Sequence, residues 1–334
     1  MPTLSDLVRD ERSARLLLSL VGTPNDEATG RLLTRVGAEE LIALADRDTE
    51  IPGMDRAEAA VWREQIRTHH GMDQAASLTA KSARYRFIIP DDTDWPSSLN
   101  DLGDRTPYGL WVNGNTDLLR GDAADRVTIT GARAATGYGT FVAEEIASGL
   151  SEKGRTVVAG AAYGIEGSAH RAALAGDGST IAVMASGTDR PYPAAHNQLL
   201  ERIAQRGLVI SEVQPGSAPT RQRFIDRARL QAALAGATVI VEAGAHSGSM
   251  RTAQEAQDLG RIVGAVPGPV TSAASYGTNQ AIRDGRAQLV SGSFDFERLL
   301  LASESQQPPQ RAFNQTHQLK QWHSRPRSIT PQGM

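Results

Sequence analysis

The sequence predicts an α/β protein built on a doubly wound, mostly parallel sheet, with a small α-helical domain in front of it. Two observations carry this prediction. Short apolar runs rich in β-branched residues alternate with amphipathic stretches, and each run has the length of a strand buried on both faces. The runs occupy residues 127–130, 156–159, 181–184, 208–211, 238–243 and 262–266. Strands and helices that alternate in this way are typical of parallel sheets covered by helices on both sides.

The first 80 residues have a different, helical pattern. Apolar residues recur at helical spacing from Leu4 to about Leu44, and the segment 22–26 interrupts them as a breaker followed by a helix cap. A further helix is predicted from about Asp55 to His70. We therefore expect residues 1–80 to form a helical domain, with residues 71–83 as its exit or a linker.

The remaining chain divides into a core domain and a tail. Residues 84–120 combine β-forming residues, aromatics and prolines, and they predict short strands that lead into the main sheet. With the alternating runs they form a core domain over residues 84–300. From Ser303 onward the chain is rich in Gln, Pro and Arg and has no apolar period, so we expect residues 301–334 to be a disordered basic tail.

Charge is distributed unevenly along the 334 residues, whose formal net charge is −3. Residues 1–120 contain 14 basic and 20 acidic residues, residues 121–300 contain 17 of each, and the last 34 contain four basic residues and one acidic residue. The acidic excess therefore belongs to the helical domain, whereas residues 121–300 are neutral. The net charge of the whole chain does not argue against a polyanionic partner of the core domain.

Cysteine is absent, which excludes disulfides, thiolate metal sites and thiol nucleophiles. The longest apolar runs are far shorter than the roughly 20 residues that a membrane-spanning helix needs. The N-terminus lacks the basic start and apolar core of a signal peptide. We expect a soluble cytoplasmic protein without a membrane partner.

Glycine-rich turns follow the predicted strands at the edge where ligands bind in such sheets. The turn that starts at Gly131 contains Arg133 and opens a helix, so free N–H groups and a guanidinium favour an anion there. Its spacing does not fit G-x-G-x-x-G, which disfavours a dinucleotide. The next turn contains Gly164 and leads to Glu166, a candidate helix cap, and His170, which we expect to be packed rather than catalytic. For the turn at Gly131, the alternative to an anion site is a tight turn that carries Arg133 on the surface without a ligand.

A basic segment with an aromatic residue precedes the fifth apolar run. It contains four arginines against Asp226 alone, and Phe224 stands among them; the arginines are Arg221, Arg223, Arg227 and Arg229. In a helix Arg227 and Arg229 would point apart, whereas in an extended segment both could enter one groove. Cationic groups beside an aromatic ring suit single-stranded nucleic acid, whose backbone attracts charge and whose bases stack. A solvated basic face is the alternative.

Two further loops are candidates for the same edge. Ser247, Gly248 and Ser249 offer hydroxyl and N–H groups at a helix start, a second place for an anion. Tyr192, between two prolines, could stack a base, although packing explains it equally well. Across these turns we find no pair of acid/base carboxylates with a nucleophile, no histidine cluster with metal-ligand spacing and no Walker loop. We therefore predict binding without catalysis, and neither a cofactor nor a metal.

Taken together, the turns resemble those of the DNA processing protein A family (DprA, also called Smf). The matching segments appear in family order over roughly residues 85–300: the turns at 131–133, 160–170 and 187–193, Ser211-Glu212, the basic segment at 223–229, Val241-Glu-Ala243, Ser247-Gly-Ser249, Pro267-Gly268 and Gly277-Thr278-Asn279. Segments of residues 21–37 also resemble that family's helical module, of SAM or helix-hairpin type. The resemblance implies an extended Rossmann fold, a homodimer, binding of single-stranded DNA, and loading of a RecA-type recombinase onto incoming strands, as in natural transformation.

Family roles carry over only where residues match. The resemblance assigns DNA or phosphate binding to Gly131, Arg133, Gly164, Arg227, Arg229, Ser247, Gly248, Ser249, Thr278 and Asn279. Ala132 and Ala228 replace a serine and an asparagine of the family motifs, and Tyr163 replaces a basic residue common in its turn. Ala159 and Glu166 are further departures, and residues 301–334 are too short for the winged-helix domain that many members carry.

Two alternatives to a single-strand binder remain open. The first is a nucleotide-acting enzyme of the phosphoribohydrolase type, because Glu255 follows Thr252 at the spacing of that group's P-G-G-x-G-T-x-x-E turn. The second is a protein scaffold that no longer needs DNA, which the substituted residues in the supposed binding pocket favour.

Overall fold

The computed structural model describes residues 3–68 and 85–306, which form helices around a single large sheet. The helices are α1 (Glu11–Val21), α2 (Glu27–Asp46), α3 (Arg56–Thr68), α4 (Gly137–Glu152), α5 (Ile165–Ala175), α6 (Asn197–Arg206), α7 (Arg221–Leu234), α8 (Ser249–Asp258), α9 (Tyr276–Arg283) and α10 (Ser293–Gln306). The strands are β1 (Arg86–Ile88), β2 (Leu110–Gly114), β3 (Arg126–Thr130), β4 (Thr156–Ala159), β5 (Thr180–Met184), β6 (Leu208–Ser211), β7 (Ala237–Ile240), β8 (Ile262–Ala265) and β9 (Gln288–Leu289).

The sheet has the strand order β1-β2-β6-β5-β4-β3-β7-β8-β9. Strands β3 to β9 pair in parallel, whereas β1 pairs antiparallel with β2 and β2 antiparallel with β6. The chain moves outward from β3 through β4, β5 and β6, then returns to the other side of β3 with β7. The predicted fold class is confirmed, and so are the six predicted strands and the short strands that lead into the sheet.

Helices cover both faces of the sheet because neighbouring residues of each strand point to opposite sides. On one face Val157 of β4 packs in a cluster with Val142 and Ile146 of α4. On the other face Val158, the next residue, packs with Leu230 and Leu234 of α7. This two-sided burial explains why the strands read as continuous apolar runs rather than as alternating ones.

The N-terminal helices pack directly against the antiparallel side of the sheet. Helix α1 begins with a capping box between Asp10 and Ser13, and Asp26 caps α2. Their apolar side chains share a core cluster with Trp111, which is fully buried on β2. The helical segment and the sheet are therefore joined by a common core.

The C-terminal prediction needs one correction. Helix α10 continues to Gln306, so residues 301–306, which we assigned to a disordered tail, are helical. The tail beyond Gln306, the linker at 71–83 and His70 lie outside the described residues. Within residues 3–68 and 85–306, no helix combines the length and apolar character required to span a membrane.

Candidate functional site

A cavity of about 790 Å³ opens at the carboxyl ends of β3, β4 and β7. It lies where the strand order reverses about β3, and open α/β sheets bind their ligands at such switch points. The turns after these three strands and one side of α7 line it: Thr130, Gly131, Ala132, Arg133, Ala162, Glu166, Tyr192, Pro219, Thr220, Arg221, Phe224, Ile225, Arg227, Ala228, Gln231, Ser247, Gly248, Ser249, Arg251 and Thr252. The predicted turns that contain Arg133 and Glu166 thus meet the basic segment and the loop Ser247 to Ser249, and the loop after β5 contributes Tyr192.

Glycines allow the turn after β3 to pack against its neighbours. A Cβ on Gly131 would lie 2.6 Å from the Ile165 side chain, and one on Gly164 would lie 2.3 Å from the carbonyl oxygen of Ala132. Gly164 also has a φ of +71°, which favours glycine. Gly131 lines the cavity, whereas Gly164 supports the turn from behind and does not line it.

Phe224 is the centre of a stacked group within the cavity. The guanidinium carbon of Arg133 lies 4.6 Å from the centre of its ring, and that of Arg227 lies 5.3 Å from it. The ring of Tyr192 is tilted against Phe224 with 5.5 Å between the centroids. Two cations therefore lie within cation–π distance of one aromatic ring, an arrangement that cation–π attraction stabilises.

Arg227 forms part of the cavity's floor and is not fully neutralised. Its Nη1 donates to the Gly160 carbonyl oxygen at 2.7 Å, and its Nη2 lies 3.5 Å from Glu166 Oε2. Its buried Nε has no hydrogen-bond partner. Burial lowers the pKa of the Arg227 guanidinium below its ordinary value, Glu166 opposes that shift, and the charge of Arg133 adds to it. An anion bound beside Arg133 and Arg227 would relieve their mutual repulsion.

Glu166 lines the cavity beside Arg227 and lies in a network of hydrogen bonds. Its carboxylate accepts from the Ala162 N–H at 3.0 Å, the Thr130 hydroxyl at 3.1 Å and the Gln231 amide at 3.2 Å. Burial alone would raise the pKa of Glu166, but the charge of Arg227 and these hydrogen bonds outweigh burial and lower it. Glu166 therefore remains an anion that holds Arg227. It accepts from Ala162, which precedes α5, and the start of α5 has no side-chain cap, so the predicted capping role is wrong.

The third side of the cavity is the start of α8. The Ser247 and Ser249 hydroxyls lie 2.7 Å apart, and a Cβ on Gly248 would meet nothing within 4 Å. The N–H groups of Ser249, Met250 and Arg251 already donate to the Ser247 hydroxyl at 3.4 Å, the Ser247 carbonyl oxygen at 3.1 Å and the Gly248 carbonyl oxygen at 3.1 Å. The two serine hydroxyls and the positive end of the helix dipole are the features of this loop that suit a phosphate.

The basic segment is helical, the first of the two conformations that the sequence leaves open. Thr220 caps α7, which begins at Arg221, so Arg227 and Arg229 leave opposite sides of the helix. Arg229 is only 1% exposed and does not line the cavity. Its guanidinium donates twice to Glu212, at 2.9 Å and 2.5 Å, and its Nε donates to the Arg105 carbonyl oxygen at 2.9 Å. These partners leave Arg229 unavailable for direct contact with a ligand.

Thr278 and Asn279 also lie away from the cavity lining. The Thr278 hydroxyl is fully buried and donates to the Ser275 carbonyl oxygen at 3.1 Å. The Asn279 side chain accepts from the Gly268 N–H at 3.1 Å and donates to the Gly268 carbonyl oxygen at 2.9 Å. Both residues brace the loop after β8, and their contact with DNA stays a prediction.

Sequence reasoning missed residues that shape the site from below. Gln231 and Thr130 hold Glu166, and Glu242 at the end of the fifth apolar run accepts from the Thr136 N–H at 2.9 Å and from its hydroxyl at 2.5 Å. A carboxylate at the end of a buried strand was the available signal for Glu242, since such a charge requires buried partners.

Two other side chains that the sequence brings forward have structural partners. His170 is fully buried, and its Nδ1 lies 2.7 Å from the Thr180 hydroxyl. Glu255, on which the phosphoribohydrolase alternative depends, accepts from Arg105 at 2.9 Å and lies 3.7 Å from Arg251. Neither His170 nor Glu255 lines the cavity. In the part of the chain that the structure describes, no group of three or more His, Asp or Glu side chains could hold a metal ion.

Comparison with known proteins gives consistent matches. A model of the family described as DNA recombination-mediator protein A matches residues 86–300. A Mycobacterium tuberculosis protein with a provisional DprA name is 48% identical over 273 residues, which cover 77% of this chain and 69% of that protein. The DNA processing protein DprA of Streptococcus pneumoniae is 37% identical over 206 residues, which cover 62% of this chain and 71% of the relative.

Solved structures agree with these relatives. The X-ray structure of DprA from Streptococcus pneumoniae matches with a TM-score of 0.71 and 29% identity, over 89% of this chain and 98% of that chain. A DprA structure from Helicobacter pylori, described by its single-stranded DNA binding mode, matches with a TM-score of 0.58 and 28% identity, over 66% of this chain and 98% of that chain.

The family model spans the whole sheet from β1 to β9 and every turn that lines the cavity. Its description is that of a mediator in DNA recombination, not of a catalyst, which confirms the prediction of a non-enzymatic protein. The family resemblance inferred from the ordered turns is confirmed as well. The chain belongs to the DNA recombination-mediator protein A family.

Proposed function

We propose that this protein binds single-stranded DNA in the cavity at the carboxyl ends of β3, β4 and β7. The observation that carries the proposal is the Phe224 ring flanked by Arg133 and Arg227 inside that cavity. Single strands need cations for the phosphates and aromatic faces for the bases, and this group offers both within one site. The Helicobacter pylori relative, a single-stranded DNA binder by its description, supports the same ligand.

The cavity offers a separate place for each part of a nucleotide. Arg133 is exposed at the mouth and Ser247 to Ser249 lie at the start of α8, so both suit phosphates. Tyr192 and Phe224 offer ring faces to bases. Gly131 lines the cavity, and its lack of a Cβ lets the turn that carries Arg133 pack against Ile165. Arg229, Thr278, Asn279 and Gly164 support these elements and make no direct contact in this proposal.

The biological role that follows is loading of a RecA-type recombinase onto the bound strand, by a cytoplasmic homodimer, as in natural transformation. Family membership supports a mediator role in recombination. The recombinase as partner, the dimer and the cellular process are proposals that rest on the family resemblance. Recombinase filament formation on strands already covered by a single-strand-binding protein would test the role, and the absence of any stimulation would contradict it.

Fluorescence anisotropy with a labelled oligo-dT, titrated at several salt concentrations, tests the DNA site. We expect binding that weakens steeply with salt, because phosphate contacts release counterions. Phe224→Ala should weaken binding by about 5- to 150-fold, the range of about 1–3 kcal/mol per stacked base. Arg133→Ala should also reduce the slope of log K against log salt by about one, since one phosphate contact is lost.

Arg206→Ala is the matched control. Arg206 is an exposed arginine at the end of α6, at the opposite edge of the sheet, where it pairs with Asp177 at 3.1 Å. Its removal should leave binding unchanged. No binding by the unaltered protein at low salt would contradict the proposal. If a recombinase nevertheless bound tightly without DNA, the scaffold alternative would replace it.

A further inference from the structure

Tyr163 lies in the turn after β4, beside the cavity but outside its lining. Tyr163 is 48% exposed, although Ala161 and Ala162 before it are buried. Its ring packs edge-on against His196, with 4.9 Å between the centroids and 71° between the planes. One side of the ring is thus held by the protein while nearly half of the side chain faces solvent.

The turn around Tyr163 is held rigidly. Ala161 adopts a φ of +59° and Gly164 one of +71°, so the backbone is confined to an unusual path. The Ala161 carbonyl oxygen lies 2.9 Å from Nδ1 of His196, and the Ala162 N–H donates to Glu166 at 3.0 Å. His196 therefore fixes both the turn and the ring. A ring fixed in this way loses little conformational entropy when a planar group stacks on it.

The position of Tyr163 continues a line of candidate contacts along the sheet edge. The neighbouring strands β7, β3, β4 and β5 are followed by Ser247 to Ser249, Arg133, Tyr163 and Tyr192 respectively. Three strand spacings of about 4.8 Å give this line a length of about 14 Å, enough for a few nucleotides. After β7 and β3 the line contains hydrogen-bond donors and the Arg133 cation. After β4 and β5 it contains the rings of Tyr163 and Tyr192.

We propose that Tyr163 is a base-stacking platform that extends the single-strand site from the cavity across β4 toward Tyr192. The inference rests on the proposed function and assigns a polarity to the site, with phosphates held at the β7 side and bases stacked at the β5 side. Stacking needs no particular base, because each base has a π face. Stacking on Tyr163 thus contributes binding free energy that does not depend on the salt concentration.

The test compares Tyr163→Ala, Tyr163→Phe and Tyr163→Lys in the oligo-dT titration. Loss of the ring should weaken binding by about 5- to 150-fold with an unchanged salt slope, because no phosphate contact is lost. Tyr163→Phe keeps the ring and should bind like the unaltered protein. Tyr163→Lys should bind with a salt slope steeper by about one, since a phosphate contact replaces a stacked base.

Tyr163→Trp adds a direct readout, because its indole emission should be quenched when a base stacks on it. The DNA-free protein and a duplex of the same sequence serve as references. If the unaltered protein binds oligo-dT but Tyr163→Ala binds equally well, or Tyr163→Trp shows no quenching, this inference is wrong and the cavity site stands. If the unaltered protein does not bind, the proposed function itself fails.

Discussion

Helix α7 has two sides with contrasting electrostatics, although their arginines are only two positions apart. Arg227 faces the cavity beside Phe224, with one carbonyl hydrogen bond and a carboxylate at 3.5 Å. Arg229 faces the interior, where Glu212 binds it through both oxygens and two backbone carbonyls accept from it. One side thus leaves a cation with spare capacity for an anion, while the other uses its cation to join elements of the fold.

This difference shows that charge counted along a sequence does not give the charge available to a ligand. The segment 221–229 has four arginines against one aspartate, yet Arg229 is neutralised within the core. Conversely, Glu166 is buried but lies 3.5 Å from Arg227, a longer separation than that between Arg229 and Glu212. Three measurements of stability test this contrast between the two sides, and the change that we expect decreases from the first measurement to the third.

Removal of the Arg229 side chain should destabilise the protein most. Arg229→Ala leaves Glu212 as a buried charge without its main partner, so we expect the free energy of unfolding to fall by about 3–5 kcal/mol. Urea denaturation followed by circular dichroism measures this. The double replacement Arg229→Met with Glu212→Leu should recover much of the loss, because it leaves no unpaired charge. A loss below about 1 kcal/mol for Arg229→Ala would mean that the pair acts like a surface pair.

The pH dependence of stability should come chiefly from His170, which is fully buried in α5 outside the cavity lining. Burial lowers the pKa of His170 from 6.5 to about 4. Between these values the unfolded chain binds a proton that the folded protein does not, so the free energy of unfolding decreases as the pH falls from 6.5 to 4. The maximal contribution is about 3 kcal/mol. Denaturation at a series of pH values should show this decrease, and His170→Gln should lack it; an identical pH profile for both would refute the assignment.

A smaller effect is expected where the helical segment contacts α7. The Asn25 amide donates to Asp226 at 3.1 Å, and Asn25 has a φ of +62° that glycine tolerates. Asn25→Gly therefore removes the hydrogen bond without adding backbone strain, and it should lower the free energy of unfolding by about 1 kcal/mol. Asn25→Ala should cost more, because alanine disfavours this φ. Equal stability of the glycine variant and the unaltered protein would show that this link contributes nothing.

Much of the fold and the outline of the site could be predicted from local patterns. The apolar runs predict β3 to β8, and the glycine turns that follow them predict a shared ligand edge, since parallel strands end at one side of the sheet. Asp26 was predictable as a helix cap from its position after Gly22 and Pro24. These features depend on residues a few positions apart, and propensity and periodicity report on that range.

The contacts within the site depend on distant residues. The motif that contains Thr278 and Asn279 reads the same whether its side chains face a ligand or brace a loop. The geometry of the loop after β8 determines which of these two roles the side chains have. The conformation of 221–229 likewise depends on how Thr220 caps the helix and on how α7 packs over β4. Glu166, Gln231 and Thr130 come together from three separate elements, so no single stretch of sequence contains their network.

Local sequence thus determined the strands, the helices, the glycine turns and the chemical character of the sheet edge, because those follow from periodicity and backbone freedom. Tertiary packing determined which cations remain available at that edge. Arg229 donates to a carbonyl oxygen 124 residues away in the sequence and to a carboxylate 17 residues away. Arg227 lies beside Phe224, and the carboxylate that it faces is 3.5 Å away in space. The physical reason is that a buried charge is stabilised by whichever partners the fold places within reach, and a sequence specifies those partners only through the complete fold.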